Sequence, residues 1–354
     1  MKVGERAQGV TVAILAAVLF GASTPFSKLL LRQIDPLLLA GLLYLGSGIG
    51  LALWIVFQRL MLRAKNQEAR LQLKDLPWLA GAIVAGGVVA PILLMLGLAV
   101  TPASSASLLL NLEGVLTAVL AWFVFKENFD RRIFTGMAAI LAGGVLLSWQ
   151  SRPELGVPWG ALGIVGACLG WAIDNNLTRK VSASDPAQVA AIKGLVAGST
   201  NTLLAFVAGS RLPSLSGLVA AGLLGFLSYG VSLTCFVLAL RHIGTARTGA
   251  YFSTAPFIGA ALSLMILHEQ PSFLFWIAGA LMVLGLWLHL TERHAHLHHH
   301  EPFDHEHLHW HDEHHQHTHT PTDPPGEPHS HVHRHEELVH SHPHYPDLHH
   351  RHRH

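Results

Sequence analysis

The chain has 354 residues, 51% of them hydrophobic and 13% charged, with a formal net charge of +1. Half apolar and this sparsely charged, it reads as an integral membrane protein, and the charge balance offers nothing to nucleic acid, so its partners are lipid and small solutes. Cys168 and Cys235 each lie inside an apolar run and read as small buried hydrophobes, with no disulfide framework.

A hydrocarbon core about 30 Å thick takes about twenty helical residues. On that measure the chain predicts spans at 9–31, 36–58, 77–100, 103–125, 132–149, 158–180, 187–209, 216–240, 245–267 and 273–291. Closed helices are the expected form, because lipid gives backbone groups no partners. The first run has Lys2 and Arg6 ahead of Val10, as a secretory signal would. It continues past Ala22 into STPFSK, and so predicts a retained span. Trp78, Trp149 and Trp159 fall at span ends, where tryptophan favours the interface.

Ionisable and polar groups inside spans are costly and mark candidate functional positions. Pro25 in the first span and Pro256 in the ninth interrupt helical bonding and free carbonyls that can line a cavity. Ser23, Thr24, Tyr251 and Thr254 flank those breaks. Glu113 stands about ten residues into the fourth span, near the midplane, as a candidate for proton coupling. Asn111 is close in sequence but on nearly the opposite helical face. If spans six and seven turn near residues 183–184, Asp174 and Lys193 lie at one depth and predict an ion pair. Asn175 adjoins the first of these, and Asn201 shares a polar stripe with Lys193. Gly136 and Gly143, matched by Ala278 and Gly285, recur seven apart and predict a helix-packing seam. Glu127 and Glu269 each close a span, as gate residues or as carboxylates bonded to loop amides.

Basic residues crowd the loops that are cytoplasmic if the N-terminus is, which places both termini inside. Beyond the last span, residues 292–354 are dominated by histidine, acids and proline, a composition expected to stay disordered. His294, His296, His298, His305, His307, His309, His311, His314, His315, His317, His319, His329, His331, His333 and His335 are candidate metal ligands there. Neutral imidazoles in H-x-H alternation suit Zn, Ni, Co or Cu, as many weak sites with no fixed four-ligand cage. No cofactor is required by anything in the spans, and no nucleophile with its base is evident.

A shift of 142 residues lays LEGVLTAVLAWFVFKENFDRRIFTGMAAILAGGVLL onto TAPFIGAALSLMILHEQPSFLFWIAGALMVLGLWL, matching Glu127 with Glu269 and Gly143 with Gly285. Five spans separate the copies, so the second copy is inverted. With GASTPFSK in the first span, FKE ending at Glu127, and ALRHIGTARTGAYFSTAPFIGAALSLMILHEQ at 239–270, the chain resembles the EamA type of the drug/metabolite transporter superfamily over residues 9–291. That resemblance implies two five-helix repeats, and proline in each fourth helix with glutamate at its end. Pro256 and Glu269 match; in the first repeat Glu127 matches, but Glu113-Gly114 stands where Ala255-Pro256 stands in the second.

The expected fold is therefore all-α: ten transmembrane helices as two inverted five-helix repeats, 1–150 and 151–291, followed by a disordered His-rich tail, 292–354. The expected function is secondary transport of a small organic metabolite or drug-like solute across a bacterial inner membrane, with export and proton coupling as the family's common mode. A homodimer is compatible with such a core. Two other readings stay open: a divalent transition-metal transporter with the tail as buffer, and a membrane-tethered metal buffer or sensor that moves nothing.

Overall fold

The computed structural model describes residues 3–61, 73–125, 131–150, 158–178, 186–243 and 245–290, and four short strands within residues 295–343. Up to residue 290 every regular element is helical. In chain order these are α1 (Val3–Leu30), α2 (Pro36–Met61), α3 (Leu76–Ala82), α4 (Ala90–Val100), α5 (Ala103–Leu109), α6 (Leu112–Phe125) and α7 (Arg131–Gln150). The second half contains α8 (Trp159–Thr178), α9 (Pro186–Val207), α10 (Leu215–Gly225), α11 (Ser232–Ile243), α12 (Thr245–Phe252), α13 (Ala255–Leu267) and α14 (Phe273–Leu290).

Several of these join end to end. A π-helical stretch, Ile83–Val89, links α3 to α4, and another, Phe226–Val231, links α10 to α11. Two-residue turns at 110–111 and 253–254 separate α5 from α6 and α12 from α13. Helix thus occupies each of the ten expected places among the described residues. Seven runs are long and apolar enough to cross a membrane: Gln8–Leu30, Pro36–Gln58, Leu76–Val100, Ala103–Phe123, Ala187–Val207, Leu215–Ala239 and Arg247–Leu267. Phe134–Trp149 and Phe273–Leu288 are apolar but shorter. The chain is a multi-pass membrane protein, and its exposed large side chains, such as Leu53, Phe123, Phe134, Val207 and Trp276, are the surface that lipid covers.

Helix packing follows one pattern twice. α8 packs on α4 and α6, as α1 packs on α11 and α13, while α2 pairs with α9 and α7 with α14. Small residues let the backbones meet. A Cβ at Gly285 would press on the carbonyl of Gly136 at 2.5 Å, and one at Gly143 on that of Ala278 at 2.9 Å, so the expected seam is the α7–α14 contact. Gly48 and Gly194 meet in the same way between α2 and α9.

Two expectations need correction. α1 runs unbroken through Pro25, which removes one N–H without splitting a long helix packed on several neighbours. Of these two prolines Pro256 alone stands at a break, in the first turn of α13, where a missing N–H costs no bond. The tail is also not irregular throughout: β1 (Ala295–His300) pairs antiparallel with β4 (Leu338–Pro343), and β2 (Phe303–His309) with β3 (His329–His335). H-x-H alternation has the period of a strand, so extended backbone fits it as well as coil does.

Candidate functional site

Near the end of α8 three consecutive polar residues, Asp174, Asn175 and Asn176, tie that helix to two others. Asp174 is buried. Its carboxylate accepts from Lys193 Nζ of α9 at 2.6 and 2.7 Å and from Thr178 Oγ1 at 2.7 Å. The pair anticipated from the depth of spans six and seven is present. Both of its side chains are mostly buried, and the bidentate contact neutralises two charges that the membrane interior would otherwise reject. Gly86, in the first π stretch, is what admits Asp174: a Cβ there would overlap the carboxylate itself.

Asn175 Nδ2 donates to Glu113 Oε1 of α6 at 2.9 Å and to Thr117 Oγ1 at 3.3 Å. Asn176 Nδ2 donates to the Thr117 carbonyl at 3.2 Å and to the Ala172 carbonyl at 2.8 Å. Glu113 is half-buried, and the partner the structure gives its carboxylate is a neutral amide. It sits in the first turn of α6, just after the turn at 110–111, where free amides favour a carboxylate. Asn111, in that turn, donates to the Leu108 carbonyl at 2.9 Å and does not join the Glu113 network.

Exposure shows where this network opens. On α8 the lipid-facing stripe is Leu162, Leu169 and Ile173, all exposed. Asn175 is exposed as well, yet at 100° per residue it lies roughly 200° round the helix from Ile173, on the side of buried Ile164, Cys168 and Trp171. Its exposure is therefore to a crevice inside the protein. Across that crevice Gly114 is exposed, with nothing within 4 Å of the Cβ it lacks.

The first π stretch packs against the same part of α8. An i→i+5 pattern leaves carbonyls off the regular ladder, and other helices take them. The Gly86 carbonyl accepts from Tyr44 Oη at 2.8 Å and Trp171 Nε1 at 3.0 Å, and that of Gly87 from Asn201 Nδ2 at 3.0 Å. Asn201 is fully buried. From Tyr44 a run of rings continues: Tyr229 at 5.7 Å, Phe20 at 5.9 Å from Tyr229, and Phe252 at 5.3 Å from Phe20. Ser23 anchors Tyr229 by a side-chain hydrogen bond. These rings come from α1, α2, α12 and the second π stretch, with no sequence period to announce them.

The remaining expected positions fall as follows. Ser23, Thr24 and Pro25 are buried on α1. Tyr251 is half-buried, and exposed Thr254 turns its hydroxyl back onto the Tyr251 carbonyl at 2.6 Å. Glu269 follows the end of α13 and accepts the Ala103 and Ser104 amides at 2.7 and 2.9 Å, which makes it the N-terminal cap of α5. Lys28, not singled out from sequence, donates to the carbonyls of Leu98, Ala99 and Thr101 at 2.6, 3.0 and 2.9 Å. Glu127 lies outside the described residues, as do His294, His311, His314, His315, His317 and His319. The other expected tail ligands lie on strands described by backbone alone. Among the described residues no group of three or more His, Cys, Asp or Glu stands ready to hold a metal ion.

The profile of the EamA-like transporter family matches residues 7–149 and, a second time, residues 158–291. The chain belongs to the EamA-like transporter family. This places it in the drug/metabolite transporter superfamily and makes it a membrane transporter of small solutes. It is similar to an "uncharacterized transporter" of Methanothermobacter thermautotrophicus, 28% identical over 298 residues that cover 80% of this chain and 86% of that one. It is also similar to the "uncharacterized inner membrane transporter YedA" of Escherichia coli K12, 26% identical over 284 residues covering 77% and 87%. A solved crystal structure aligns with a TM-score of 0.58 at 19% identity, covering 81% of this chain and 96% of that one, a likeness of fold alone. In this EamA-like transporter the Glu113 network, the crevice and the ring wall all fall within the matched residues.

Proposed function

We propose that this protein is a secondary active transporter of a small organic solute in a bacterial inner membrane. It crosses the membrane ten times as two inverted halves, 1–150 and 151–291, with both termini cytoplasmic, and works by alternating access at the interface between them. Glu113 is the coupling carboxylate. The observation that carries this reading is the Asn175–Glu113 contact: a half-buried carboxylate, bonded to a neutral amide and bordering an internal opening, joins a helix of one half to a helix of the other. A carboxylate so placed is able to exchange a proton and to answer a bound solute, and Asn175 and Asp174 carry that change to α9 through Lys193. The test is reconstitution with a pH-sensitive dye inside the vesicles and a panel of amines, acids, neutral metabolites and divalent metals added outside. Solute-dependent proton movement is expected from the unaltered protein and none from Glu113→Gln; undiminished movement in that variant would remove Glu113 from the mechanism.

The tail is read as an accessory that holds Zn, Ni, Co or Cu through interchangeable imidazoles. Its expected signature is calorimetric Ni²⁺ binding by the full chain that disappears on truncation after Arg293.

A further inference from the structure

Several of the described charges inside the protein are already matched. Asp174 is neutralised by Lys193. Lys28 is held by three carbonyls, and Glu269 by two amides. Glu113 faces the crevice with an amide N–H as its partner, next to the open space at Gly114. One turn along α8 from Asn175, Trp171 reaches the Tyr44 hydroxyl at 3.3 Å, and Tyr44 opens the ring run through Tyr229, Phe20 and Phe252. A carboxylate bonded to a neutral amide beside a run of half-buried rings is selective for charge and for shape.

Resting on the transporter reading above, we propose that the solute is a monovalent organic cation, a protonated or quaternary amine with an apolar body, whose ammonium sits at Glu113 while its body packs against the ring wall. An anion would meet Glu113 unscreened. A zwitterion would need a second, cationic subsite, and the lysine of the network that Glu113 joins, Lys193, is engaged by Asp174. A hard divalent ion takes six or more oxygens, whereas Glu113 is bonded to an amide donor, Asn175, which also donates to Thr117. An ammonium is served by one carboxylate and aromatic faces. Glu113 replaces the proton that it loses with the cation, so the charge in the crevice is constant through the exchange.

The experiment uses the full chain in lipid nanodiscs and four probes of one size: benzyltrimethylammonium, L-phenylalanine, phenylacetate and benzyl alcohol, with binding followed by tryptophan fluorescence and calorimetry. Benzyltrimethylammonium is expected to bind at least about tenfold more tightly than the other three, and Glu113→Gln to erase that preference. Phe20→Ala is expected to weaken the cation while keeping the rank order. Glu113→Asp, retaining the charge, should keep the preference and guards against loss of fold. Phenylalanine or phenylacetate binding as tightly as the cation, an unchanged cation affinity in Glu113→Gln, or binding of no probe overturns the proposal. Flux in proteoliposomes separates the two readings. Proton-linked movement of phenylacetate would leave the transporter standing and overturn the cation class; Glu113-dependent cation binding without any flux would do the reverse.

Discussion

Asp174 depends on an atom that is absent. Because Gly86 has no Cβ, the carboxylate packs directly against the π stretch while reaching Lys193, so Gly86→Ala is expected to cost about 1–3 kcal/mol and to loosen the pair. Steric unfolding titrations in mixed micelles would register this, and an unchanged midpoint would show that the contact yields without strain. Lys193→Met strands a buried carboxylate, at about 3–5 kcal/mol, whereas adding Asp174→Asn removes the orphaned charge and should recover most of the loss. A double variant as unstable as Lys193→Met would mean that the pair does more than cancel charge. This pair was legible in the sequence, because a short hairpin fixes the relative depth of residues on its two arms. Gly86 was not legible as its partner, since the two are 88 positions apart on helices that are not consecutive. The same holds for Glu269: the sequence shows a carboxylate at a span end, but its amides belong to Ala103 and Ser104 of the other repeat.

At the scale of elements, hydropathy and helix period place the helices, and seven of the described runs are long and apolar enough to cross a membrane. They do not show where a span changes its winding. The π stretches carry no distinctive propensity, and the turn at 110–111 lies in a run without proline. Proline predicted one break, at Pro256, and overpredicted another, at Pro25, where a single lost bond is too small a defect to split a helix packed along its length. Rings spread over four elements gave no pattern either; only the folded packing brings them together. The α7–α14 seam was visible as small residues seven apart, and it makes a direct forecast. Gly285→Leu would drive a side chain into the Gly136 carbonyl and Ile140, and the variant should elute as aggregated or poorly recovered protein while Gly249→Leu, where nothing stands within 4 Å of the added Cβ, does not. Equal recovery of both would show that α7 and α14 separate at little cost.

Across the whole molecule, Lys28 and Glu269 close on one elbow, the 98–104 segment between α4 and α5, from α1 and from the end of α13. That joins residues of both matched segments at one place. With Cys168 and Cys235 replaced by alanine, a cysteine at Ser105 should react slowly with a membrane-impermeant maleimide and several-fold faster when Glu269→Gln is added; equal rates would separate the elbow from any gate. Truncation after Arg293 is expected to leave solute flux intact, and its loss would make the tail part of the machine. The two π stretches bear on the molecule in another way. Each turn of such a stretch accommodates a residue that an α-helix would not, and the 142-residue shift carries Ile83–Val89 onto 225–231, almost the interval Phe226–Val231. Both halves therefore count with the same extra beat. Deleting Gly87 would let α3 and α4 fuse into regular helix with the residues after it still on their present faces, Gly97 against Gly160 among them, while the carbonyls that Tyr44, Trp171 and Asn201 now take would return to the helix's own bonds. That half would keep its packing faces and lose the ties that its extra residue makes available.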